Sequence, residues 1–263
     1  MRSLFLNRST FRNIFVLLTL GFAGLGQMVN SAQGVNVSWK VDGLVVSGNW
    51  NEVDHWTPGG GPPTLAGNSA TIDLTGSPYS VAFNVNARID AFTLNASNVT
   101  FSSTVSRTLN VSGPVNLQNG VVDWLSSTWT GGGTLSSDVG IMTFRGNCAV
   151  NNAAFVQNSV LSLIASGGSH STTVANGDTF TNNNVIDITS ETDHSMILAV
   201  SSGVMTNSPT GIIDFEIGAG GLRALNGSFS KQGIMNIKTD TNFNKTNGVF
   251  PTRICSKYSG APP

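Results

Sequence analysis

The stretch Asn184-Val-Ile-Asp-Ile188 returns, 27 residues on, as Gly211-Ile-Ile-Asp-Phe215 and, 22 further, as Gly233-Ile-Met-Asn-Ile237. The same five-residue form stands earlier as Ala70-TIDL, Ser97-NVTF, Gly120-VVDW, Gly140-IMTF and Ser159-VLSL. Its central residues are Ile72, Val99, Val122, Met142, Leu161, Ile186, Ile213 and Met235, spaced 19 to 27 residues apart with a mean of about 23. In all eight the central residue and the one two later are apolar, and the residue between them is polar. A period of two is a strand with one face in and one face out. A strand of five residues cannot bury its apolar side alone, but coils stacked on one another can, into one continuous core.

Between these cores lie shorter apolar pairs, such as Leu109/Val111, Leu198/Val200 and Leu222/Leu225, set off by Gly, Asn, Ser and Pro. Those residues accept tight bends. The expectation is an all-β, single-stranded parallel β-helix (a β-solenoid) of about eight coils of about 23 residues. Right-handedness is expected from the preference of parallel crossovers. A β-sandwich, the rival, places strands 8–12 residues apart and has no reason to repeat one pattern eight times. Helix is opposed by a mature sequence rich in Val, Ile, Thr, Gly and Asn.

Composition narrows the function classes. Only 10% of the 263 residues are charged, against roughly 25% in an ordinary domain. The net charge is −1 and there is no Lys/Arg cluster, so a nucleic-acid partner held by phosphate neutralisation is not expected. The surface must instead be Ser, Thr, Asn and Gly. Arg2, Arg8 and Arg12, then the apolar run Ile14 to Leu25, then small residues at Ser31 and Ala32, follow the order of a secretory signal peptide. The expected organisation is a signal peptide over 1–32, an N-terminal cap over 33–66, the solenoid over 67–240 and an irregular C-terminal cap or linker over 241–263. The mature chain is expected to be secreted or on the outer cell surface, with no integral membrane segment after signal cleavage. Cys148 and Cys255 would lie on the order of 20 Å apart along the axis, too far for a disulfide, which needs Cα atoms within about 7 Å. Cys148 is read as a small core residue.

Trp39, Trp50 and Trp56 crowd into eighteen residues before the first coil. They are read chiefly as an N-terminal cap sealing the first coil. The competing reading makes Trp50 and Trp56 a ligand-binding platform for sugar rings. Asp54 and His55, adjacent and without a third ligand nearby, make a weak metal pair, and none is expected. Gly48-NWNEVDHW, Pro62, Asn68-SATIDL and Val81 to Leu94 resemble a pattern that opens β-solenoid regions of bacterial exported proteins. Those are similar to autotransporter passengers and to the repeat-rich extracellular proteins of PEP-sorted and planctomycete-type bacteria. The likeness covers about residues 39–101, and His55 and Asn68 depart from it. It implies a bacterial surface or matrix context and names no activity. Neither a translocator barrel nor a Pro-Glu-Pro anchor is seen, so the chain is expected to be released or to be a fragment.

The outward polar column carries Asp73, Asp123, Asp187 and Asp214, and among these only Asp187 and Asp214 fall on consecutive coils. They are the weak catalytic candidates, with Arg223 as a base or clamp. Close carboxylates raise one pKa, as an acid catalyst needs. The β-helical polysaccharide lyases and glycoside hydrolases pair such acids, the lyases with Ca²⁺, so Ca²⁺ enters only in that alternative. The bland reading is a solvated polar face. His170 and the Glu191/Asp193/His194 group read as loop residues. The leading expectation is a non-enzymatic structural or adhesive module, with polysaccharide or cell-surface glycans as partners and no cofactor.

Overall fold

The computed structural model describes residues 34–40, 47–58, 61–174 and 179–246. The expected signal peptide and Cys255 lie outside these residues. Strands stack in parallel register on three faces, and the chain visits them in turn. On the first face Asn36–Trp39, Ser69–Ile72 and the start of Ala91–Ser103 pair in order, and the ladder continues to the end of Arg223–Lys231. The second runs from Tyr79–Ala82 to Ile234–Ile237, and the third from Ala87–Ile89 to Thr241–Lys245. Eight coils cross all three faces, from 69–89 to 229–245, and a partial coil precedes them. The chain is a parallel β-solenoid of about the expected size.

The core is a set of in-register columns. Val81, Phe101, Val122, Met142, Leu161, Ile186, Ile213 and Met235 are stacked and buried on the second face. The first face stacks Phe92, Val115, Leu135, Phe155, Phe180, Met205 and Phe229. Register brings like side chains face to face: the Phe155 and Phe180 rings lie parallel, 4.8 Å apart. At the corner after the first face the column changes character. Ile72, Leu94 and Leu117 give way to Ser137, Gln157, Asn182, Asn207 and Lys231, all buried. Each amide there feeds its neighbours: Asn182 Nδ2 donates to Asn207 Oδ1 at 2.7 Å and to the Ile212 carbonyl at 3.0 Å.

Two of the eight repeats sit elsewhere than expected. Ile72 belongs to the first face, and Phe101, not Val99, pairs with Val122. The solenoid also reaches past its expected bounds. Asn36–Trp39 already pairs in parallel within the expected cap, and Thr241–Lys245 adds a rung beyond residue 240. Corners depend on close backbone approach; at Gly131, φ is +144° and a Cβ would overlap the Val111 carbonyl oxygen.

The N-terminal edge of the first face is closed. Trp56–Thr57 pairs antiparallel with Asn36–Trp39 and takes up the edge that would otherwise be open. Trp39, Trp50 and Trp56 are buried together beneath it, with Trp39 and Trp56 edge to face at 5.2 Å. Cys148 is a buried free thiol donating to the Trp124 carbonyl at 3.2 Å, as its reading as a core residue requires. No helix among the described residues is long and apolar enough to cross a membrane.

Candidate functional site

Asp187 and Asp214 meet because two copies of the repeat stack without slip. Ile186, Ile188, Ile213 and Phe215 turn inward, so the intervening acids turn out, and Asp187 pairs with Asp214 across the ladder. Asn236 occupies the next rung and donates to Asp214 Oδ1 at 2.6 Å. Glu216, two residues past Asp214, joins them: one oxygen from each of Asp187, Asp214 and Glu216 lies within 4.8 Å of the others. It is the one group of three or more such ligand atoms among the described residues. Lys238, on the coil after, ion-pairs with Glu216 and lies 3.9 Å from Asp214 Oδ2. Glu216 and Lys238 were not picked out from the sequence. Their signal is the offset of two after the outward residue on consecutive coils, Asp214 to Glu216 and Asn236 to Lys238.

The electrostatics follow from this crowding. Burial first, then Asp214 and Glu216, holds the Asp187 carboxyl above its ordinary range, and Lys238 offsets part of that. The hydrogen bond to Glu216 in turn raises the Lys238 ammonium. Three carboxylates are the right donors in kind for a hard cation. Here, however, Lys238 already supplies the positive charge to two of them, so the residues do not fit a Ca²⁺ site.

Arg223 is not part of this cluster. It lies on the third face, fully buried, and its guanidinium donates to the Gly220, Gly221 and Ile217 carbonyls at 2.7, 3.0 and 2.8 Å. Burial lowers its pKa, and its carbonyl partners fix it as a corner brace rather than a base or clamp. Trp50 and Trp56 also depart from the platform reading. They are 0% and 2% exposed, and their indole N–H groups donate to the Pro63 and Trp50 carbonyls. A sugar ring cannot stack on a covered face. The cap reading is the one their burial supports.

The remaining candidates are dispersed. His55 pairs with Glu52 at 3.0 Å while Asp54 is exposed. Glu191 pairs with Arg145 at 2.8 Å, and Arg145 also holds Asp123 at 3.2 Å. His170 bonds the Ser166 carbonyl. None of these gathers a metal site.

The outer side of the first face has a different chemistry. Its central outward column runs Ser38, Thr71, Thr93, Asn116, Ser136, Val156, Thr181, Thr206 and Ser230, without a charge. Rungs are about 4.8 Å apart. Beside it an amide rail is hydrogen-bonded from Asn183 to Asn158 and from Asn158 to Asp138, at 2.8 Å each. No family model, curated protein or solved structure matches the chain.

Proposed function

We propose that this chain is an exported structural or adhesive module of a bacterial cell surface or secreted matrix, and that it binds polysaccharide without cleaving it. The observation that carries this reading is the uncharged outward column of the first face, in which seven of the nine rungs from Ser38 to Ser230 present a hydroxyl, Asn116 and Val156 being the other two. Single hydroxyl contacts with a glycan are weak because they replace contacts with water. A long polymer lying along a regular column makes many at once, and the later ones form at high effective concentration. Low charge suits neutral polysaccharides, which offer no ionic partner. The export signal read from residues 1–32 is consistent with that setting.

A second reading rests on Asp187 and Asp214. One oxygen of each lies within 4.8 Å of one oxygen of the other, so the two acids form a close carboxylate pair of the kind glycosidases use, and Asp187 has a raised pKa. Against it, Lys238 and Asn236 already engage Asp214. One experiment separates the two. The purified chain is incubated with a panel of soluble and insoluble polysaccharides, with and without Ca²⁺, and both retention and new sugar ends are followed. Retention without new ends, reduced at least tenfold by Thr181→Lys with Thr206→Lys, is expected. New ends that vanish in Asp187→Asn or Asp214→Asn would make the chain an enzyme. No retention on any polymer would overturn the adhesive reading.

A further inference from the structure

The second residue of the repeat points outward, although it is β-branched in all six copies from Gly120-VVDW to Gly233-IMNI. Val121, Ile141, Val160, Val185, Ile212 and Ile234 stand in one unbroken in-register column on the outer side of the second face. Val121, Ile141 and Ile234 are 37%, 46% and 50% exposed, and the other three are partly exposed. A solvated sheet face normally carries polar residues at such positions, and a contiguous apolar strip marks a contact surface.

Beside this strip run two further columns. The nearer holds Asp123, Thr143, Ser162, Asp187, Asp214 and Asn236. The farther holds Leu125, Arg145, Ile164 and Thr189, and the ladder continues it through Glu216 and Lys238. The charges are unevenly placed along the axis. From Val121 onward the six rungs carry one acid, one base, none, one acid, two acids and one base.

We infer that this face binds the same face of a second copy, with the two solenoid axes antiparallel. A two-fold axis lying in the interface along the strand direction keeps each column opposite its own copy and reverses the rungs. The apolar strip then meets itself, Ile141 opposite Ile212 and Val160 opposite Val185. The Arg145 rung comes opposite the Asp214/Glu216 rung, and the Asp123 rung opposite that of Lys238. Every rung with a net charge but one thus meets the opposite sign, the exception being Asp187, which meets Ser162. Parallel stacking of the same faces would instead set like charges together. The charge pattern therefore selects a second copy and its direction.

The face made by these three columns is about 24 Å long, from five rises of about 4.8 Å, and about 13 Å across five residues of strand. That is roughly 300 Å² on each copy, well under the about 800 Å² of a standard interface. The pair is accordingly weak and reversible, populated at about 0.1 mM chain and dispersed at hundredfold dilution.

Sedimentation equilibrium of the purified chain across that range tests the inference. A monomer–dimer equilibrium weakened at least tenfold by Ile212→Lys is expected. Two further variants, Arg145→Glu and Glu216→Lys, set like charges against each other within their own pairs. Each is expected to be monomeric alone, with a melting curve confirming its fold. Mixed together they restore both opposite-charge contacts, so the mixture is expected to regain the dimer. A chain that stays monomeric at 0.5 mM (roughly fivefold above the working range), a dimer indifferent to Ile212→Lys, or a mixture no more dimeric than its parts would overturn it. Retention on polysaccharide or vesicles by a strictly monomeric chain, if abolished by Ile212→Lys, would also overturn it, since another occupant would then hold this face.

Discussion

Asn182 offers the sharpest test of how the core is held. It is fully buried, in a column whose earlier rungs are Ile72, Leu94 and Leu117. On hydrophobicity alone, Asn182→Leu should give this buried rung the apolar character of the first three and stabilise the chain by about 1.5–3 kcal/mol. The hydrogen bonds argue the reverse. Asn182 donates to Asn207 Oδ1 at 2.7 Å and to the Ile212 carbonyl at 3.0 Å, and it accepts from the Asn184 amide at 3.3 Å. Losing three bonds costs about 3 kcal/mol, and leaving Asn207 Oδ1 buried without its donor adds about 1–3 kcal/mol. The balance is a net loss of about 3 kcal/mol. For a two-state chain of this length that lowers the melting temperature by roughly 6–12 °C. The assay is thermal unfolding followed by circular dichroism, with Thr181→Ser on the adjacent outward position as the control, expected near zero. A melting temperature equal to or above that of the native chain would refute the reasoning, because the rung would then be as content with Leu as residue 117 is.

The other expectations concern the acid cluster, the cap and the thiol. Asp187 sits where burial, then Asp214 and Glu216, disfavour its charged form, so Asp187→Asn should stabilise the chain at pH above the folded pKa by about 0.2–1 kcal/mol. A raised folded pKa favours the fold only while the group is protonated. The advantage of the Asn variant should therefore shrink as pH falls through the folded pKa and vanish below the ordinary 3.8, which denaturant titrations at several pH values would show. Trp50→Ala should cost about 3–5 kcal/mol and leave polysaccharide retention of the still-folded fraction unchanged, since the ring is covered; selective loss of retention would revive the platform reading. Burial pushes the Cys148 thiol up to about 11, so peptide mapping should find it unalkylated at pH 8 until the chain is unfolded.

The acid pair was legible because two adjacent repeats match residue for residue, so Asp187 and Asp214 had to share a column once the coils stacked. Glu216 and Lys238 lie just outside the five-residue core, where no alternation draws attention to them. Val99 was misaligned for a definite reason. A slip of two residues leaves every inward position inward, so the pattern is blind to it, while a slip of one would turn the strand inside out. Ile72 was assigned to the wrong stack because strands on all three faces share the same alternation. The buried amides Gln157, Asn182 and Asn207 were invisible for the opposite reason. Polar residues in this sequence are common, and only their position on the inner side of a corner distinguishes them.

Sequence by itself determined the period of two, the coil length and therefore the solenoid, because these depend on the order of apolar and polar residues along one strand and its recurrence. Tertiary structure alone decided which repeat stands on which face, that Trp50, Trp56 and Arg223 are enclosed, and that the outward β-branched residues from Val121 to Ile234 line up in one unbroken column. Those outcomes depend on where each corner turns, and a corner can shift the path by a face or a rung without changing the local alternation of the strands it joins.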